Sequence, residues 1–271
     1  MSATDLSLEG AYRKLGRAKE HADALWAGIV GFLQQQAQGG FTDERNGYVV
    51  TLKAPDIPSV PPEISLLLGD TVQNMRAALD YLVYQLAKLD DPGVDHERTT
   101  MFPVFTTSKK FKDSGRKRIK MLSAPHQAQI CALQPYHRGN RADSHPLARL
   151  IDLSDQDKHR LLIPTAHQVA GRAPVPVTET KIPGFTVFMF DFEPLVVEAY
   201  SGPVPPLNVE MEAHATISIT LDDGTRLKEL RKIGQIVGLI LDSFDGDFPT
   251  AAATSAPVQA ADWSYPLKPL A

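Results

Sequence analysis

Only one cysteine, Cys131, occurs among 271 residues, so no intrachain disulfide can form and no paired-cysteine zinc motif exists. Long apolar runs are missing as well: no window approaches the roughly 18 consecutive apolar residues that a membrane-crossing helix needs. The N-terminal stretch lacks a basic-then-apolar leader ending in small residues. With the lone cysteine, that gives the expectation of a cytoplasmic protein. No Gly-rich loop joins a strand to a helix and no G-x-x-x-x-G-K-[ST] occurs, which leaves ATP and NAD without a cradle. Ser201-Gly202 lacks the G-x-S-x-G setting of a hydrolase elbow, and no H-E-x-x-H pattern is present to seat zinc. No cofactor is expected. A net charge of −4 argues against non-specific DNA binding as the main activity. The charge is uneven, however: Lys109 to Lys120 (KKFKDSGRKRIK) gathers seven basic residues against the single acid Asp113, leaving about −10 for the remainder.

What the chain has in quantity is helical periodicity. From Pro62 to Leu89, the residues Leu68, Val72, Met75, Leu79, Leu82, Leu86 and Leu89 alternate steps of four and three, a spacing that only a helix turns into one apolar stripe. A first helix is expected from about Leu6 to Gln36, with Leu8, Tyr12, Leu15, Ala22, Leu25, Ile29 and Phe32 on one face and Gly39-Gly40 ending it. Gln127 to Leu133 and Pro146 to Ser154 read as short helices, and Thr225 to Phe244 as a closing one. Alternating, β-branched stretches at Tyr48 to Lys53, Leu161 to Ile163, Phe185 to Phe192, Val196 to Tyr200 and Asn208 to Leu221 read as strands, most of them in an antiparallel meander. Met101 to Phe105 (MFPVF), with Pro103 inside it, reads as an edge or a turn. The expected fold is therefore α+β: long amphipathic helices forming a helical core, packed with an antiparallel sheet from the second half. One domain is expected over 1–245, helical to about 160, with sheet and closing helix over 161–245. A Pro/Ala-rich tail follows over 246–271, where Trp263 and Tyr265 form the kind of isolated aromatic pair that docks on something.

Two polar groups can carry chemistry. Arg76 and Asp80 lie four residues apart on the shoulder of the long apolar stripe, within hydrogen-bonding reach, and Gln73, Asn74 and Tyr84 flank them. Such a row can hold an anion on Arg76 while Asp80 orients it or accepts a proton; the alternative is an internal salt bridge that fixes a neighbouring loop. Asp155-Gln156-Asp157-Lys158-His159-Arg160 gathers acids, bases and an imidazole at what reads as a helix-to-strand junction. His159 there is a candidate general acid or base, Asp157 sets its tautomer, and Lys158 or Arg160 neutralises developing negative charge. The alternative is a helix C-terminus whose basic residues complement the dipole. His145, Asp152, Asp155, Asp157 and His159 have ligand chemistry but no metal-site spacing, so no metal is expected. The basic run, with Phe111 and Ile119 interleaved, can grip phosphates or stand as a solvated face.

Asn74-x-Arg76-x-Ala78-Leu79-Asp80-Tyr81, Phe102-Pro103-Val104-Phe105, Leu133-Gln134-Pro135-Tyr136 and Asp157-Lys158-His159-Arg160 together resemble a family of uncharacterised bacterial hypothetical proteins, over roughly residues 65 to 165. That family implies a fold and little chemistry. The long helix is also similar to HEPN-type ribonucleases, all-helical proteins that cleave RNA without metal through an arginine followed four to six residues later by histidine. Arg76 is the matching arginine. Tyr81 stands where that pattern has histidine, and His159 is the residue that takes its place in this reading.

Three functions are expected from these residues. The first is a cofactor-independent acid–base enzyme, hydrolytic, acting on a small anionic substrate: Arg76 binds, Asp80 orients, His159 transfers the proton, Asp157 supports it, and Arg160, Lys158, Gln73, Asn74 and Tyr84 line the substrate. The second is a HEPN-like ribonuclease gripping RNA with the 109–120 run. The third is a non-catalytic binding or regulatory protein whose polar cluster is structural. A homodimer through one of the long helices is expected in each.

Overall fold

The computed structural model describes residues 6–37, 42–46, 49–53, 59–93, 100–159, 164–169, 216–221, 228–248 and 263. By contacts the chain divides into two compact units, one of Met1–Ala27, Pro61–Ile163 and Thr225–Ala271, the other of Gly28–Val60 and Pro164–Gly224. The first unit holds the core. Its helices are α1 (Glu9–Ala37, which runs on into the second unit), α2 (Pro62–Asp90), the short α3 (Ser108–Lys110), α4 (Ala124–Ala132), α5 (Pro146–His159) and α6 (Lys228–Asp245). From α3 the chain continues through a π stretch, Phe111–Gly115, and a 3₁₀ turn, Arg116–Ile119; a second 3₁₀ segment spans Pro135–Arg141.

Helix α2 is the central strut. Pro62 occupies its first position, where a missing N–H has no intrahelical partner to lose. Leu68, Val72, Met75, Leu79, Leu82 and Leu86 are all fully buried, so the stripe read from the sequence is the face that the core covers. Each such side chain contributes roughly 1.5–3 kcal/mol of burial before entropy is subtracted. Helix α2 packs against α5 and α6, and α5 against α6. The facing side chains include Leu147, Leu150 and Leu153 of α5 and Leu230, Ile233, Val237 and Phe244 of α6, all buried. Tyr12 of α1 donates to Asp242 Oδ1 of α6 at 2.9 Å, and this bond together with burial pushes the phenol above its ordinary range, burial first.

The expected α+β fold is overturned. Every element whose side chains are described is a helix, and helices supply most of the buried apolar side chains among the described residues. Among the described residues, strand pairing is confined to two ladders in the second unit: β1 (Thr42–Asn46) with β2 (Val49–Lys53), and β3 (Pro164–Val169) with β4 (Thr216–Leu221), each antiparallel and each of two strands. A two-stranded ladder falls short of the three or more strands that make a sheet with its own apolar face. Alternation in sequence reports a local preference and does not supply the neighbouring strands. The expected strands at 161–163, 185–192 and 196–200 lie outside the described residues. Among the described residues no helix is long and apolar enough to cross a membrane.

Candidate functional site

Arg76 is 6 % exposed. Its Nη2 donates to Asp80 Oδ1 at 2.8 Å and to the carbonyl oxygen of Phe102 at 2.8 Å, while the same Asp80 oxygen accepts the Phe102 N–H at 2.9 Å. The pair thus satisfies both backbone polar groups of Phe102, whose ring is fully buried. Burial holds the guanidinium below its ordinary range against the pull of Asp80. Burial likewise lifts the Asp80 carboxyl, with Arg76 and then the Phe102 N–H opposing it. Arg76 Nη1 is buried without an acceptor.

Gln134, 2 % exposed, continues the same work one step along. Its Oε1 accepts the Phe105 N–H at 3.1 Å, and its Nε2 donates to the carbonyls of Pro103 (2.8 Å) and Ile130 (3.1 Å). The Tyr136 N–H closes the series on Phe105 O at 3.2 Å. Phe102 to Phe105 is therefore a non-helical segment whose backbone is paired mainly by side chains instead of by a neighbouring strand. Buried N–H and C=O groups must find partners somewhere. Sequence reading found Arg76 and Asp80 but not Phe102 or Gln134. The one available signal was that both lie in sequence blocks that carry the family resemblance.

That segment mounts the basic run. Phe111, Gly115 and Ile119, four residues apart, turn inward and are buried. The Phe105 ring meets Phe111 edge-on, with centroids 6.1 Å apart, and both rings close over Gly115, where a Cβ would strike them. Outward stand Lys109, Lys110, Lys112, Arg116, Lys117 and Lys120, all exposed and none with an ion-pair partner among the described residues. Arg118 differs: its guanidinium lies 5.2 Å over the Phe105 ring. Beside the run, the Phe111 and Tyr136 ring centroids are 5.6 Å apart, and Tyr136 lies tilted against exposed His137 with centroids 4.3 Å apart. The Tyr136 phenol is pushed up to about 12 by burial and by its contact with Cys131 Sγ, with Arg116 opposing. Arg138 and Arg141, both exposed, follow on the same 3₁₀ segment.

Asp157, Lys158 and His159 form the last turn of α5, and β3 begins at Pro164. Helix α5 runs to His159 instead of ending at Ser154, because its last turn is polar and carries no apolar beat to read. Asp157 Oδ2 accepts from Gln73 Nε2 at 3.0 Å, and Gln73 and Ser154 exchange two further bonds, clamping α5 to α2. Gly69 makes that approach possible, since a Cβ there would run into the Asp157 carboxylate. Lys158 is exposed and pairs with Asp155 at 3.1 Å. Asn74 folds back onto Asp70 O, and Lys88 Nζ lies 5.4 Å from the Tyr84 ring. The His159 side chain and the whole of Arg160 lie outside the described residues. Among the predicted residues, then, two pairs are brought together, Arg76 with Asp80 and Gln73 with Asp157, and each joins elements of the scaffold.

Elsewhere among the described residues, polar side chains gather around His126 and His137. His126 Nδ1 is 2.7 Å from Asp90 Oδ2 and 3.0 Å from Ser123 Oγ, while Nε2 faces Asp247 at 3.5 Å. The Ser123 hydroxyl shares its ring nitrogen with the Asp90 carboxylate, and the acid on the other nitrogen, Asp247, stands at 3.5 Å, longer than an ordinary N–H···O hydrogen bond. His137 Nε2 addresses the carbonyl of Cys131, not its sulfur. Among the described residues no group of three His, Cys, Asp or Glu is placed to hold a metal. An open cleft of about 450 Å³ is lined by Asp143, Arg149, Glu229 and Lys232 among others, and no predicted site residue reaches it.

His145 yields a pH prediction. Its Nδ1 accepts the Leu147 N–H at 3.2 Å, capping α5, and burial followed by Arg138 lowers its pKa from the ordinary value. A lowered imidazole binds its proton less tightly folded than unfolded. The cap's contribution is therefore present above about pH 6.5 and lost as pH falls through the depressed folded value. His145→Asn keeps a cap without the titration. Relative to that variant, the native chain should lose about 0.5 kcal/mol between neutral and mildly acidic pH in urea melts. Parallel curves at all pH values would refute the cap.

No family model, no curated protein and no solved structure matches this chain. The functional reading therefore rests on the residues themselves.

Proposed function

We propose that this is a non-catalytic binding protein that docks a single-stranded nucleic acid, RNA in the first instance, along the cationic run Lys109–Lys120 and beside Tyr136 and His137. The observation that carries this reading is that six exposed basic side chains held on a packed mount have no ion-pair partner among the described residues. Like charges four residues apart repel one another on a helical surface, as Lys112, Arg116 and Lys120 do by spacing. A phosphate backbone relieves that repulsion and releases its own counterions. The neighbouring aromatic pair offers a face for a base, which stacks without regard to sequence. Arg76, which a hydrolytic reading needs open to a small anion, is buried and commits Nη2 to Asp80 and to Phe102 O.

The test is binding of a fluorescein-labelled oligouridylate by anisotropy over a salt series. Single strands give a slope of roughly 0.7 per neutralised phosphate, so four contacts predict a log–log slope near −3. Replacing Lys112, Arg116, Lys117 and Lys120 by glutamate should flatten that slope and weaken binding by about 50-fold at low salt. No binding by the native chain at low salt, or equal binding by the variant, refutes the proposal. Competition by polyglutamate as effective as by RNA would reassign the surface to an acidic protein.

A further inference from the structure

On α6, Gly234 is buried under the indole of Trp263: a Cβ at 234 would fall against Cε2, Cδ2 and Cζ2 of that ring. Trp263 is 3 % exposed, while the chain's other tryptophan, Trp26, is 40 % exposed. Positions 249–262 (PTAAATSAPVQAAD) hold no aromatic residue and no Leu, Ile or Met. The indole is thus the first large apolar group by which the sequence after Phe248 can grip the helix. Glycine is disfavoured within a helix relative to alanine, so one there marks either a packing need or a close approach. Here it makes a notch whose floor is helix backbone, and a flat ring fits where a methyl group would not.

We propose that the Gly234 face of α6 is a binding site for a tryptophan-bearing peptide segment, filled in this structure by the chain's own Trp263 and able to accept the same segment from outside. Recognition is by ring face and burial, because the indole Nε1 is buried without an acceptor. An unpaired buried donor weakens the contact without abolishing it, which leaves the occupant exchangeable. Tethering compensates through effective concentration, so a free peptide competes poorly while Trp263 is present and well once it is removed.

The experiment uses the full-length chain carrying Trp26→Phe, with Trp263 as the sole tryptophan. Its emission should be blue-shifted and its acrylamide quenching several-fold weaker than that of free tryptophan; Gly234→Val should reverse both. Circular dichroism checks that α6 survives that change. A second arm titrates a synthetic peptide of residues 256–271 into Trp26→Phe/Trp263→Ala chain. A saturable blue shift of the peptide indole is expected there, lost with Gly234→Val and absent from the chain that retains Trp263. Quenching as free as in water refutes the docking. Failure of the peptide to bind the Trp263→Ala chain, or equal binding after Gly234→Val, refutes the exchangeable notch.

Discussion

Arg76→Met is expected to lower the unfolding free energy by about 3 kcal/mol, the low end of what removing one partner of a buried pair does. Methionine keeps the length and apolar stem of the side chain, so packing within α2 is little disturbed. What is lost is the donor to Phe102 O and the counter-charge of Asp80. The Asp80 side chain is 31 % exposed, which lets water take up part of its charge and keeps the figure from rising further. Lysine should rescue only in part: one ammonium can serve both acceptors of Nη2, but its stem ends one bond short of that position and its compact charge is costlier to bury. Arg76→Met in an Asp80→Asn background should lose less than in the native one, since both residues hold the same backbone unit. Urea unfolding of the four proteins decides the matter. A native-like midpoint for Arg76→Met would remove the strut and return Arg76 to the candidates for ligand binding.

The helices were legible because burial of one face imposes a 3.6-residue beat, and α1, α2 and α6 keep it along their described lengths. The polar site was only half legible. Spacing on α2 brought Arg76 to Asp80, since both sit on one helix. It could not show that their shared partner is Phe102, because a backbone carbonyl leaves no mark in sequence. Gln134 was invisible for the same reason: a side chain that pairs an extended segment has no period. The segment's Pro103 suggested an edge or a turn, whereas 101–105 is neither strand nor turn and has no ladder partner among the described residues. The long apolar alternations of the second half promised a sheet, yet a strand is stabilised by its neighbours, and those are not encoded locally. Three of the four blocks that carried the family resemblance meet in one hydrogen-bonded chain, Arg76 and Asp80 to Phe102, then Phe105 to Gln134 and Tyr136. The fourth reaches α2 through Asp157 and Gln73.

Gln134→Leu tests whether that chain also mounts the cationic run. Leucine is close in volume and fills the same space, so the change isolates the hydrogen bonds from the packing. It orphans the Phe105 N–H and the Pro103 carbonyl, two buried or half-buried backbone groups at about 1–3 kcal/mol each. Ile130 O retains its place at the end of α4, where water can reach carbonyls more easily. A loss of about 3 kcal/mol is therefore expected in urea melts. The location of the damage is more informative than its size. Phe105 seats Phe111 and Arg118, so freeing its N–H should raise amide exchange over Ser108–Ile119 well before global unfolding, while the α2–α5 contact stays protected. If exchange rises uniformly, Gln134 is a core residue like any other and the run is held by its own apolar row. If exchange rises only in the run and oligouridylate binding weakens in step, with every base still present, rigid display of the charges is part of what the partner recognises.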